Sequence, residues 1–496
     1  MQPPLLKRAV SKDKYDRFSN NCLTLKVSTM KFRYTTYLTV ILLFASCTNN
    51  LDVDVVKPVG IAKNDISVLS ETEYTVVSKT QALSVAGKFQ NLPKTRSEGE
   101  KDADVQTIFD ENNTPLMYII NYPDQRFVIV GATRNYYPIL AYSDKNNLSI
   151  NQESGLAEWL EETKYIIKES GNYDDDQTSR MKFLWNFYEE PQATKTIETR
   201  GSAEENQVMR ARMSELMQLY PGYYCRPLSQ CSASDFPLYG NEIYDNLCRL
   251  ANQFNTPLEY TICAIKDNSH FNSVGPLTQT EWHQGYPFNF PYNGNPIGCV
   301  TVAIAQIMKF HQFPPLYNWN NMPTTNNQAT SETHRLISDI LSATGIDPNQ
   351  DSGATIDNAQ NAFKSFQYSV SKKNHNAGDV ENELRLKRHP VYMRGSDKNS
   401  DKGHAWICDG VRTYKSEVFY FIECREGGPG NYHYRSIDGP SPESPATIEY
   451  TGGTDFHMNW GWGGPESGNG WFRTNDVSVG DYDLSITRKN LYVSPK

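Results

Sequence analysis

NPIGCVTVAIAQIMKFHQFPP, residues 295–315, is the stretch whose reading decides the fold. From Cys299 onward, Val300, Val302, Ala303, Ile304, Ala305, Ile307, Met308 and Phe310 occupy nearly the whole circumference of a helix, and Pro314-Pro315 stops it. A helix that is apolar all round is a buried one, so the segment predicts a central helix with other elements packed about it. A cysteine on its first turn faces unpaired backbone N–H groups and the positive end of the macrodipole, both of which favour thiolate over thiol. Gly298 leaves room beside it for a substrate backbone, and the same N–H groups are able to hold a developing oxyanion. Taken alone, the helix fits equally well a core cysteine that opens a core helix.

A thiolate nucleophile needs an imidazole to take and return its proton, usually from a remote part of the chain. His404 has the best setting: in PVYMRGSDKNSDKGHAWICDG (390–410) a strand, a polar loop and Gly403 lead into a second strand expected to end at Asp409-Gly410. A third group should orient that imidazole. DFHMNWGWGGPESGNGWFR (455–473) offers Asn459 at the end of a strand, with Trp460 and Trp462 among glycines. An asparagine accepts the imidazole N–H, and indoles screen that bond from water. His457 shares the strand face of Asn459 and is the reserve base, with packing as its ordinary role.

The rest of the chain bounds these readings. With 496 residues, 38% hydrophobic content and a net charge of -9, it has room for two or three domains with real cores. Its scattered basic residues exclude a nucleic-acid footprint. MKFRYTTYLTVILLFASC (30–47) puts Lys31 and Arg33 ahead of an apolar run too short to span a membrane, then small residues and a cysteine. The segment resembles a bacterial lipoprotein signal, which predicts export, lipidation of Cys47 and membrane contact through that anchor only. Phe44 stands where the pattern favours leucine, and residues 1–29 lie upstream of the expected start at Met30.

Removing Cys22 and Cys47 leaves Cys225, Cys231, Cys248, Cys263, Cys299, Cys408 and Cys424, an odd number, so at least one thiol stays unpaired. Four of them fall between 225 and 263 without a CxxC pair, which argues against zinc and leaves disulfides or buried thiols. No metal or cofactor is expected. LMYIINY, RFVIVGA and PILAYS read as short strands and GLAEWLEETKYII as a helix, together a small α+β domain free of cysteine and histidine. EEPQATKTIETRGSAEENQ (189–207) reads as an exposed linker.

GCVTVAIAQIMKFH, PVYMRG, GHAWICDG, HMNWGWGG and the upstream HQGYPFN resemble the catalytic motifs of the streptopain family of papain-like cysteine peptidases. The resemblance implies an α+β papain-like catalytic domain over 271–496, a central helix with the nucleophile packed on an antiparallel sheet. It makes Cys299 the nucleophile, His404 the acid/base, Asn459 with Trp460 the orienting pair and Gln284 an oxyanion donor. Gly298, Gly403, Trp462 and the Ser352-Gly353 loop would line the cleft of an endopeptidase that prefers an apolar residue just before the scissile bond of its protein or peptide substrates. YIINYPDQRFVIVGA and PILAYS resemble the family's propeptide, which implies an inhibitory pro-domain over 48–200. Two features depart from the pattern: the connection from His404 to Asn459 is long, and 201–270 has no clear counterpart. Maturation would then follow Lys195 or Arg200, or fall as late as Lys266. Two other classes fit the same residues: another thiol acyl-transfer enzyme, such as a transglutaminase or amidase, and a silent binding or inhibitor protein of the same fold.

Overall fold

The computed structural model describes residues 75–90, 103–150, 155–173, 175–189, 203–232, 235–236, 240–325, 328–350, 353–397, 403–436, 440–464, 466–474 and 486–496. The expected signal with Cys47, the segment 190–202 and Ser352 lie outside them.

An N-terminal domain comes first. Helix α1 (Lys79–Gln90) precedes a meander of β1 (Asp104–Phe109), β2 (Pro115–Tyr122), β3 (Arg126–Gly131) and β4 (Ile139–Ser143), and helices α2 (Gly155–Glu169) and α3 (Asp175–Glu189) follow. Both faces of β2 are buried. Met117 and Ile119 share a core with α2, while Tyr118, Ile120 and Tyr122 share one with α1 and Trp185 of α3. That double burial is why β2 and β3 read as continuous apolar runs rather than alternating ones.

Helix α4 (Ala203–Leu219), β5 (Tyr224–Pro227), α5 (Gly240–Gln253), β6 (Thr261–Asp267) and β7 (His270–Val274) lead to the predicted central helix, α6 (Cys299–His311). Every residue from Val300 to Met308 is buried. The helix ends where Gln312 takes a left-handed conformation just before Phe313-Pro314. Helices α7 (Ser331–Thr344) and α8 (Ile356–Ser365), β8 (Tyr368–Asn374), α9 (Ala377–Asn382) and β9 (Val391–Asp397) come next. Then follow β10 (Gly403–Glu426), β11 (His433–Ser436), β12 (Ala446–Asn459), β13 (Gly470–Arg473) and β14 (Ile486–Pro495).

All these strands form one sheet, whose main path runs β1-β2-β3-β4-β13-β12-β10-β9-β14-β8. The N-terminal meander joins the rest through β4 and β13, where Tyr142 pairs with Trp471 and Ala141 with Phe472. Arg412 braces the junction. Its guanidinium lies 4.2 Å from the Tyr142 ring centre and binds Asp455, which also holds Arg473.

Strand β10 does not end at Asp409-Gly410 as the Asp-Gly pair suggested. It runs on to Glu426, and its register with β12 slips between Cys408 and Gly410. A Cβ on Gly410 would come to 2.8 Å from the Cβ of His457, so the pair makes a bulge rather than a turn. The long connection between His404 and Asn459 is therefore a continuous ribbon. On it, β5, β6 and β11 pair and α4 and α5 pack, so residues 203–267 form a lobe of the sheet. Arg212 fixes α4 to the ribbon by two hydrogen bonds to the buried Glu423, at 2.7 and 2.8 Å.

The two faces of β9 and β10 carry different partners. Tyr392, Ala405 and Ile407 pack with α6, α7 and α8, and Met393, Trp406 and Cys408 pack with α2. The seven cysteines in the described residues are free thiols, five buried and two half-buried, so the disulfide alternative is not realised. Among the described residues, no cluster could hold a metal ion and no helix is long and apolar enough to cross a membrane.

Candidate active site

The entry to α6 is built by the loop before it. The Ile297 N–H donates to the Gln284 carbonyl at 3.1 Å, and Gly298 turns the chain with φ +85°, a conformation that favours glycine. This brings the half-buried Gln284 to the helix start. Cys299 is half-buried, and its Sγ accepts the Ala405 N–H at 3.4 Å. The thiol thus rests on the first peptide of β10 after His404. In the ladder with β9, Gly403 stands opposite Ser396, His404 opposite Gly395 and Ala405 opposite Arg394.

Burial pushes the Cys299 thiol up from its ordinary pKa, against downward pulls from the Ala405 N–H, Arg394 and the N–H groups of Val300 and Cys299. The helix start therefore acts in the expected direction. In the folded chain, desolvation outweighs it.

Asn459 is buried beside the helix. Its Nδ2 donates to the Thr280 carbonyl at 2.8 Å and to Gln306 Oε1 at 3.0 Å, and its Oδ1 accepts the Gly461 N–H at 3.2 Å. Thr280 Oγ1 donates to the same Gln306 oxygen at 2.7 Å. Sequence reasoning passed over Gln306 and Thr280. The signal available was that Gln306 stands seven residues, two helical turns, beyond Cys299 and so shares its face. A polar residue there in a helix otherwise apolar all round needs a partner.

Trp460 is buried against Trp406 and Phe472, with ring centres 5.3 and 5.1 Å away, and its indole N–H donates to the Gly468 carbonyl at 3.1 Å. Those neighbours put it on the α2 side of the sheet. A Cβ on Gly155, the first residue of α2, would overlap the Trp406 indole and come to 2.8 Å from Trp460. One turn on, Glu158 covers Gly395, where a Cβ would lie 2.9 Å from its Cγ. Trp462 is half-buried and bridges to His283 on the loop that carries Gln284. Gly353 is exposed ahead of α8.

His457 is engaged elsewhere. Its Nδ1 lies 2.6 Å from the buried Asp409, whose other oxygen accepts the Thr278 N–H at 3.0 Å and hydroxyl at 2.5 Å. It pairs with Gly410, five residues or roughly 16 Å along β10 from Ala405.

Comparison with known proteins gives two family matches. Residues 74–167 match the Spi protease inhibitor family and residues 315–472 the Peptidase C10 family. The second match contains His404 and Asn459 and begins after Cys299. Streptopain of Streptococcus pyogenes serotype M1 is 27% identical over 208 residues, covering 33% of this chain and 50% of that protein. The thiol protease/hemagglutinin PrtT of Porphyromonas gingivalis is 23% identical over 252 residues, covering 40% and 24%. The match thus spans half the length of streptopain and about a quarter of PrtT. Among solved structures, a prointerpain A fragment of Prevotella intermedia covers 79% of this chain and 98% of its own, with 14% identity and a TM-score of 0.37. Active interpain A of the same organism covers 44% and 94%, with 17% identity and a TM-score of 0.29. With a Spi-like stretch in its N-terminal domain and a Peptidase C10 region behind it, the chain is similar in both parts to the streptopain family of cysteine peptidases.

Proposed function

We propose that the chain is a cysteine endopeptidase made as a zymogen and exported by a bacterium, either released or held at the envelope by a lipid on Cys47. The observation that carries the reading is the Cys299 Sγ resting 3.4 Å from the Ala405 N–H, at the start of a buried helix and one peptide from His404. In the reaction His404 takes the thiol proton and the thiolate attacks the scissile carbonyl, with Gln284 and the helix N–H groups facing the oxyanion. The C–N bond breaks as His404 returns the proton to the leaving amine. Water then hydrolyses the thioester, releasing the acid and restoring the thiol. Asn459, held by Gln306 and Thr280, orients the imidazole. Gly298, Gly403, Trp462 and the Ser352-Gly353 loop line the cleft, and the Spi-like domain inhibits the enzyme from the α2 side.

The test is hydrolysis of a protein substrate by the trimmed enzyme, read beside labelling of Cys299 by an epoxide probe. Peptide-bond cleavage with labelling far faster than that of free cysteine is expected. Amine transfer without hydrolysis would favour another acyl-transfer enzyme, and labelling no faster than free cysteine would mark a silent member of the fold.

A further inference from the structure

We propose that Arg394 is a positioning residue for the nucleophile, a fixed cation on β9 that favours the thiolate form of Cys299 against its burial. The inference rests on the reading of Cys299 as the nucleophile.

Its geometry comes from the ladder. Arg394 stands directly opposite Ala405, the residue whose N–H meets the Cys299 Sγ. Residues directly opposite in an antiparallel pair have their Cα atoms about 4.5–5.5 Å apart, so the arginine starts one strand width from the thiol. Side-chain direction follows from its neighbours. Tyr392 is fully buried in the core that α6 completes, whereas Met393 and Gly395 face α2 and its Glu158. Strand alternation therefore turns Arg394 to the Tyr392 face, the face of the nucleophile.

The electrostatics agree in sign: Arg394 favours the charged form of Cys299, opposing the burial that disfavours it. Arginine suits this task because it stays protonated at any working pH, whereas the imidazole cation is lost once His404 gives up its proton. Other titratable groups on the elements around the thiol include Tyr392 and Asp397 on β9, His404, Cys408 and Asp409 on β10, and His283, Tyr286 and Tyr292 on the preceding loop. Lys309 and His311 lie at the far end of α6. Where α7 and α8 share the α6 core they contribute apolar residues such as Leu336, Ile340, Ala359 and Phe363.

The test is the pH dependence of iodoacetamide alkylation, followed by mass spectrometry on the Cys299 peptide of the full chain, for the parent, Arg394→Lys and Arg394→Met. Removing an opposite charge at this range should raise the inflection by about one pH unit or more in Arg394→Met, with the high-pH rate unchanged. Arg394→Lys should restore most of the shift. Loss of rate at every pH with the inflection unmoved would overturn the proposal and leave Arg394 a packing residue. So would an Arg394→Lys inflection as high as that of Arg394→Met. Unchanged alkylation with a selective loss of acidic substrates would assign Arg394 to substrate recognition instead. If the parent Cys299 peptide is not the fast-labelling one and Cys299→Ala retains hydrolysis, the nucleophile reading itself fails. An unmoved Arg394→Met inflection beside an active, fast-labelling parent refutes only the role of Arg394.

Discussion

Glu158, in the first turn of α2, lies on Gly395, and Gly395 stands directly across the ladder from His404. The N-terminal domain is therefore seated one strand from the proposed base, and its seat depends on two positions without side chains. At Gly155 the obstacle is a pair of buried indoles, which cannot yield. At Gly395 it is the flexible end of a glutamate.

Gly155→Ala should accordingly weaken docking of the N-terminal domain by about 1–3 kcal/mol, the usual range for overpacking a fitted contact, and Gly395→Ala by much less. Epoxide labelling of Cys299 in the untrimmed chain reports the difference. Equal labelling rates in the two variants would show that α2 does not seat on Trp406 and Trp460.

Cys299→Ala and His404→Ala should each abolish nearly all hydrolysis, and the double variant should be no worse, because one unit is disabled. His457→Ala should keep most activity but unfold more easily, by about 1–3 kcal/mol, since it removes a partner of the buried Asp409. Peptide hydrolysis and thermal unfolding, read together, check both halves. A His457 variant as inactive as the His404 variant would reassign the base.

Gln306→Leu should lower kcat/KM by about 10- to 100-fold through misplacement of Asn459, while the chain still folds. Gln306→Glu keeps the acceptor for Asn459 and Thr280 and should lose less. Full activity in Gln306→Leu would show that Asn459 needs no support from α6.

Cys299→Ala should accumulate at full size and be trimmed by a little active enzyme. The separate 48–200 fragment should inhibit the trimmed form in trans at micromolar concentration, more weakly than when tethered, because it no longer has an effective concentration of about millimolar. The new N-terminus should fall near Lys195 or Arg200. Lys266 pairs with Phe419 inside β6, so cleavage there would first require the strand to leave the sheet. N-terminal sequencing of the trimmed product decides.

His311 is held near pKa 4 by burial and by His389, below its ordinary value, so the folded state resists protonation that the unfolded chain accepts. Stability from this group is complete above about pH 6.5 and falls as pH drops toward 4, by about 3 kcal/mol, in line with the linkage relation. His375, lowered to about 3 by burial and Arg488, adds a loss in the same direction. Urea unfolding between pH 7 and 4 should show this slope, and His311→Leu should flatten it. A parent slope retained in His311→Leu would place the effect elsewhere.

How much of this was legible in the sequence follows from where each signal resides. Helix α6 was plain because nine successive buried residues leave no polar stripe. The meander of β2, β3 and β4 was plain because its turns carry their own chemistry. The course of β10 was not. Asp409-Gly410 has the composition of a turn, and only pairing with a strand some fifty residues away makes it a bulge. The 203–267 lobe was obscure for the same reason, since the partners of β5 and β6 lie partly beyond residue 417. Gln306 and Arg394 gain their significance from register, which no local pattern carries.

The pairing of β4 with β13 has one more consequence. Once the N-terminal domain departs, β13 becomes the outer edge of the remaining sheet, with the backbone groups that met Ala141 and Tyr142 exposed. Open edges invite pairing between molecules. This one is four residues long and ends on Arg473, beside Arg412 and Asp455, and shortness and charge are the features that keep an edge from propagating. The charged cluster that ties the precursor together would thus remain as a guard against self-association in the released enzyme.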